Sequence, residues 1–63
     1  MTHETYLTVQ QVADRYATST SSIWRWVRRG QFPRPVKLSP GCTRWRASDV
    51  EAWEESREVA AHA

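Results

Sequence analysis

The residues best suited to chemistry in this chain are its arginines. Eight of the nine basic residues lie between residues 15 and 46, and that stretch contains no aspartate or glutamate. Residues 1–14 carry a charge of −2 and residues 47–63 carry −4, so the formal net charge is only +2. Guanidinium groups suit bidentate contacts with phosphate and guanine. An uncompensated basic segment therefore predicts binding to a polyanion.

One group of these residues falls on a predicted helix from about Thr20 to Arg29, which Gly30 ends. At 100° per residue, one side of this helix is apolar and the opposite side is polar and basic. The apolar side carries Ile23, Trp26 and Val27. The polar side carries Ser21, Arg25 and Arg28, with Trp24 and Arg29 at its edges. This distribution is typical of a helix that reads DNA.

We expect this helix to enter the major groove, with contacts from Ser21, Ser22, Trp24, Arg25 and Arg28. Arginine most often reads guanine, so we expect at least one base contact from Arg25 or Arg28. The alternative is that both are phosphate clamps or solvated charges. For the two serines the alternative is helix capping, and for Trp24 it is packing on the protein or on a neighbouring copy.

A second basic group follows this helix, and we expect it to hold phosphates: Arg29, Arg34, Lys37, Arg44 and Arg46. Alternating residues at 36–38 and 43–46 predict two strands joined by a type II turn over residues 39–42. Val36, Leu38 and Trp45 are predicted to face the core, which leaves the hairpin's cations outside. The alternative for those cations is a solvated strand face.

Two further helices are predicted from capping boxes, in which Ser or Thr is followed three residues later by Glu or Gln. Thr8 and Gln11 predict the start of a first helix that reaches Tyr16. Ser48 and Glu51 predict the start of a third helix, which follows the hairpin.

The order helix, short turn, helix, basic hairpin and helix predicts a winged helix-turn-helix. The fold class is mainly α with a small β-hairpin: three short helices and a two-stranded wing. We expect residues 6–57 to form this domain, between an N-terminal tail of residues 1–5 and a C-terminal tail of residues 58–63.

The sequence also resembles a known family. The matching runs are Tyr6–Ala13, Ile23–Val27, Gly30–Leu38 and Arg44–Trp53, and the most specific of them is the Gly-x-Phe-Pro-x-Pro-Val-Lys-Leu stretch. Over residues 6–57 the chain resembles small winged-helix proteins of the AlpA and excisionase group, distant relatives of the MerR DNA-binding domain. In the turn, Ala17 and Thr18 stand where this family often has glycine and an aliphatic residue.

The resemblance implies a phage or prophage DNA-binding protein. Some such proteins regulate genes beside an integrase. Others are recombination directionality factors, which bind repeated sites, bend DNA and direct the integrase towards excision. We therefore expect an excisionase that binds double-stranded DNA, with further copies of itself and a phage integrase as possible partners. The alternatives are an AlpA-like transcriptional regulator and, in a different class, a protein-interaction module such as an anti-repressor that uses its acidic helix.

Other classes of function are disfavoured by what the sequence lacks. We recognise no Ser-His-acid set, paired carboxylates or glycine-rich phosphate loop, so we do not expect an enzyme or a cofactor. The chain has one cysteine, Cys42, and its two histidines lie near opposite termini, so we expect no metal site. With no long apolar run and no recognisable secretion signal, we expect no membrane partner and a reduced, cytoplasmic location in a bacterial host.

Overall fold

The structure is a computed structural model, and it describes residues 4–57. Three helices and three short strands follow one another along the chain. In order, they are β1 (Tyr6–Leu7), α1 (Val9–Arg15), α2 (Thr20–Arg28), β2 (Val36–Ser39), β3 (Cys42–Arg46) and α3 (Ala47–Ser56). The predicted winged helix-turn-helix is confirmed at the level of fold class. The predicted C-terminal tail, residues 58–63, lies outside the described residues.

Helix α1 begins with the predicted capping box. The backbone N–H of Gln11 donates to Thr8 Oγ1 at 3.0 Å, and the backbone N–H of Thr8 donates to Gln11 Oε1 at 2.8 Å. The helix ends in a Schellman motif, in which Ala17 and Thr18 donate their amides to carbonyls of the last turn. Ala17 has φ 53°, a left-handed conformation that usually selects glycine.

Helix α2 is also capped at both ends, with a single side-chain cap at its start. The Ser19 hydroxyl caps its start by accepting the Ser22 amide at 3.1 Å. At the other end Gly30, at φ 72°, donates to the Val27 carbonyl, and Gln31 donates to the Trp26 carbonyl at 2.8 Å. The predicted helix and its terminating glycine are therefore confirmed, with the last helical residue at Arg28.

The sheet has one strand more than the sequence predicts. Its order is β1-β3-β2 and both pairings are antiparallel. Strand β1 pairs Tyr6 with Arg46 and Leu7 with Trp45. Two residues are too few to show an alternating pattern, so only the partner strand defines β1. The pairing continues past the strand, where the Ala47 amide donates to the Thr5 carbonyl at 2.8 Å.

The predicted side-chain directions in the hairpin are partly wrong. Directly paired residues share a face, and the register pairs Val36 with Arg44 and Lys37 with Thr43. Thr43 lies two residues before Trp45, so Lys37 is on the Trp45 face and Val36 is on the opposite face. Leu38, at a break in the register, is 47% exposed rather than buried. The error arises because alternation within one strand does not reveal its register with the next.

The predicted start of α3 is also wrong. The helix begins at Ala47, directly after β3, and its N-cap residue Arg46 makes no side-chain capping bond. Ser48 lies within the first turn, and its hydroxyl donates to Glu4 Oε1 at 2.8 Å. Because strand pairing holds the chain up to Ala47, the helix starts before the predicted cap. The bond from Ser48 also attaches part of the predicted N-terminal tail to the domain.

The core lies between the helices and the sheet. Its buried side chains are Val12, Ala13, Ile23, Phe32, Trp45 and Val50. Trp45 is the largest of them, and its indole N–H donates to the Pro33 carbonyl at 2.7 Å. Among residues 4–57 every buried side-chain nitrogen or oxygen has a hydrogen-bond partner. Trp45 of β3 packs against Trp24 of α2, with ring centroids 5.2 Å apart, and so holds the wing against that helix. Truncating a buried tryptophan costs about 3–5 kcal/mol.

Candidate nucleic-acid interface

The outward side of α2 is exposed, as its helical periodicity predicts. Ser21, Arg25 and Arg28 are all exposed, whereas Ile23 on the other side is fully buried. Arg25 and Arg28 are three residues apart, a spacing that makes them neighbours on the helix surface. We call this surface, defined by Ser21, Arg25 and Arg28, the α2 basic face.

Ser22 connects the helix cap to Arg25. Its hydroxyl accepts a hydrogen bond from Arg25 Nη2 at 3.2 Å and one from the Ser19 hydroxyl at 3.0 Å. Ser22 is half-buried, in contrast to Ser21. The Ser22 hydroxyl is therefore engaged within the helix, and it holds the Arg25 guanidinium against the first turn.

Trp24 lies at the edge of the α2 basic face and packs inward. Its ring centroid is 5.2 Å from that of Trp45, with an angle of 47° between the rings. The side chain is half-buried against the core. Trp24 therefore packs on the protein, as the alternative interpretation expected. Part of its indole remains exposed.

The five residues predicted to hold phosphates do not lie on one surface. Arg29, Arg34 and Lys37 are exposed. Arg44 is half-buried, and its Nη1 donates to the neighbouring Thr43 carbonyl at 2.8 Å. Arg46 lies on the same face of the sheet as Arg44, and Lys37 lies on the other face.

The acidic residues of α3 leave the α2 basic face uncompensated. The two ion pairs within residues 4–57 join Arg15 to Glu54 at 3.3 Å and Arg46 to Asp49 at 3.8 Å. The remaining basic residues of the central segment have no carboxylate partner in the described part of the chain: Arg25, Arg28, Arg29, Arg34, Lys37 and Arg44. A polyanion can therefore reach these cations without first breaking ion pairs.

Side chains of α1 and α3 are joined by a link that no pattern in the sequence indicates. The Tyr16 hydroxyl donates to Glu54 Oε1 at 2.9 Å, and Arg15 Nε donates to the same oxygen. Burial raises the pKa of Tyr16 above its ordinary value, and the hydrogen bond to the Glu54 carboxylate raises it further. The partners are 38 residues apart, so no local pattern could reveal the link.

Residues 4–57 contain no cluster of three or more His, Cys, Asp or Glu side chains that could hold a metal ion. No helix in that range is long and apolar enough to cross a membrane.

Comparisons with known proteins agree with this geometry. A family model described as a helix-turn-helix domain matches residues 6–58. An uncharacterized protein of Enterobacteria phage P4, ORF88, is 35% identical over 57 residues, which make up 90% of this chain and 65% of the phage protein. No solved structure matches the chain. The chain belongs to the helix-turn-helix domain family, in the AlpA- and excisionase-like group of DNA-binding proteins.

Proposed function

We propose that this protein is an excisionase, a recombination directionality factor of a phage or prophage. In this role it binds repeated double-stranded DNA sites cooperatively, bends the DNA and directs an integrase towards excision. The observation that carries the proposal is the α2 basic face, where Arg25 and Arg28 are exposed together without a carboxylate partner in the described residues. This face lies on the second helix of the helix-turn-helix, and in that motif the second helix enters the major groove.

The specific contacts that we propose follow from this placement. Arg25 and Arg28 read base edges, and Ser21 and the accessible edge of Trp24 contact the backbone beside them. Ser22 lies at the same site and orients Arg25. The phosphate contacts come from five further cations of the central segment, Arg29, Arg34, Lys37, Arg44 and Arg46, of which Arg46 also pairs with Asp49.

The small size of the domain supports binding by several copies. One helix in one major groove covers only part of a helical turn of DNA, and the formal net charge of +2 supplies little long-range attraction. Binding of adjacent copies on repeated sites raises the effective affinity without a larger interface. The similarity to a phage protein supports a role in a mobile element, and the match covers 65% of that protein's length.

A gel-shift titration on DNA that flanks the gene tests this proposal. We expect stepwise, cooperative shifts that are lost in an Arg25→Ala, Arg28→Ala variant. The matched control is an Arg15→Ala, Arg57→Ala variant, which removes the same charge from residues outside the α2 basic face. Neutralising about six phosphates predicts a slope of about −5 in the plot of log affinity against log salt.

A second measurement separates an excisionase from a regulator. DNA bending and stimulation of integrase-mediated excision, lost in the same double variant, support the excisionase. Binding to a single operator near a promoter, with no bend and no effect on excision, contradicts it and indicates an AlpA-like regulator. No shift even at low salt would refute DNA binding and would favour a protein-interaction module.

A further inference from the structure

An aromatic groove lies between the ends of α2 and α3. It is lined by Trp26, Gln31, Trp53 and Arg57, and its volume is about 290 Å³. The two indole rings are nearly parallel, at an angle of 23° and with centroids 6.4 Å apart. The Trp53 indole N–H donates to the Gln31 carbonyl at 2.8 Å, which fixes one wall. We call this site the indole groove.

The indole groove contains the residue types that dominate binding energy at protein interfaces. Trp26 and Trp53 are only half-buried, so each retains apolar surface that a partner can cover. The Arg57 guanidinium lies over the Trp53 ring, 5.1 Å from its centroid, and no carboxylate among residues 4–57 forms an ion pair with it. Tryptophan and arginine are the residue types most enriched at interface hot spots.

From these features we infer that the indole groove binds an acidic peptide segment of a partner protein through one large apolar side chain. The two indoles form an apolar wall for that side chain, and Arg57 supplies a positive charge for a carboxylate next to it. A volume of about 290 Å³ lies at the lower end of the range of about 300–1,000 Å³ for small-molecule pockets. It suits a single anchoring side chain better than a cofactor.

The indole groove lies to one side of the α2 basic face. At 100° per residue, Trp26 points 100° away from Arg25 and 160° away from Arg28 around α2, but only 60° away from Arg29. A duplex held by Arg25 and Arg28 therefore leaves Trp26 outside their contacts, and Arg29 marks the nearest edge of the proposed DNA-binding surface. This step depends on the proposed DNA-binding role of α2, whereas binding of the peptide itself does not.

Nuclear magnetic resonance of the full chain tests the inference. The probe is a synthetic 12-residue peptide with one central leucine between glutamates. Two control peptides carry alanine in place of the leucine, or lysines in place of the glutamates. We expect the acidic leucine peptide to shift the indole N–H signals of Trp26 and Trp53, with DNA bound or absent. Loss of the leucine should weaken binding by about tenfold or more, because its burial removes a large apolar area from water.

Two protein variants show whether the peptide uses the groove. Arg57→Gln should weaken binding by about fivefold, the upper range for a solvent-exposed ion pair. Arg34→Gln removes an exposed charge outside the groove and should leave peptide binding unchanged. Equal losses in both variants would mean that the peptide binds the basic surface in general, and would overturn the inference.

Three further results would also overturn it. These are the absence of indole shifts, displacement of the peptide by DNA, and indole shifts that follow protein concentration alone, which would show a second copy in the groove. Failure of the proposed function is distinguishable, because the DNA gel shift would then be negative while the peptide still binds.

Discussion

The two turns that end α1 and α2 provide a stability test within one chain. Both are Schellman motifs with a residue in the left-handed region, but one uses Ala17 at φ 53° and the other uses Gly30 at φ 72°. Holding an L-residue in this region costs roughly 1–2 kcal/mol. The greater freedom of glycine in the unfolded chain offsets about 0.4–1 kcal/mol of any gain. We therefore expect Ala17→Gly to raise the free energy of unfolding by about 0.5–1 kcal/mol.

The reverse change is expected at the second turn. Within the described residues, no neighbouring heavy atom lies within 4 Å of a Cβ added to Gly30, so Gly30→Ala introduces backbone strain without a clash. It should lower the free energy of unfolding by about the same 0.5–1 kcal/mol. The two residues lie in different turns, so a double variant should return close to the wild-type value.

Thermal and urea unfolding, followed by circular dichroism, measure these changes. For a domain of this size, about 0.5–1 kcal/mol corresponds to a Tm shift of about 2–8 °C. The DNA affinity of the Ala17→Gly variant should equal that of the wild type at a temperature where both are folded. A lower Tm for Ala17→Gly, or shifts of the same sign in both single variants, would refute the conformational argument.

The remaining predictions concern the α2 basic face and the link between α1 and α3. The effects of Ser22→Ala and Arg25→Ala on DNA discrimination, measured as the difference in binding free energy between a target site and an altered one, should be coupled by at least about 0.5 kcal/mol. The reason is that the Ser22 hydroxyl orients the Arg25 guanidinium. Additive effects in the double-mutant cycle would contradict this. Tyr16 has a pKa raised above its ordinary value of 10.0 by burial, so the stability that it contributes is complete below pH 10 and is lost as the pH rises through the raised pKa. Urea unfolding from pH 7 to 11 should therefore show a stability gap between wild type and Tyr16→Phe that shrinks above pH 10; a gap that is constant or widens would contradict the assigned cause.

Much of the helical part of the fold is predictable from the sequence because its signals are local. The Thr8–Gln11 capping box and the left-handed Gly30 each involve residues within one turn of helix. The Gly41 position of the hairpin turn, at φ 79°, is of the same kind, since a type II turn requires a positive φ there. Such signals act within a few residues, so a single sequence is enough to read them.

The sequence is less informative about the sheet because strand pairing is not local. The alternation at 36–38 identifies a strand, but it does not determine that Val36 pairs with Arg44. Strand β1 consists of two residues and exists only because β3 lies beside it. The same pairing sets the start of α3 at Ala47, so the local capping signal at Ser48 has no effect on the boundary.

The same division applies to the candidate interface. The segregation of charge along the chain and the exposure of Arg25 and Arg28 can be read from the sequence, because helical periodicity converts spacing directly into direction. Which cations lack a partner depends on tertiary contacts, since Arg15 and Arg46 meet carboxylates of α3 and Arg25 does not. The packing of Trp24 on Trp45 is also a tertiary contact. Contacts of this kind depend on how separate elements are placed against one another, and spacing within one element does not encode that placement.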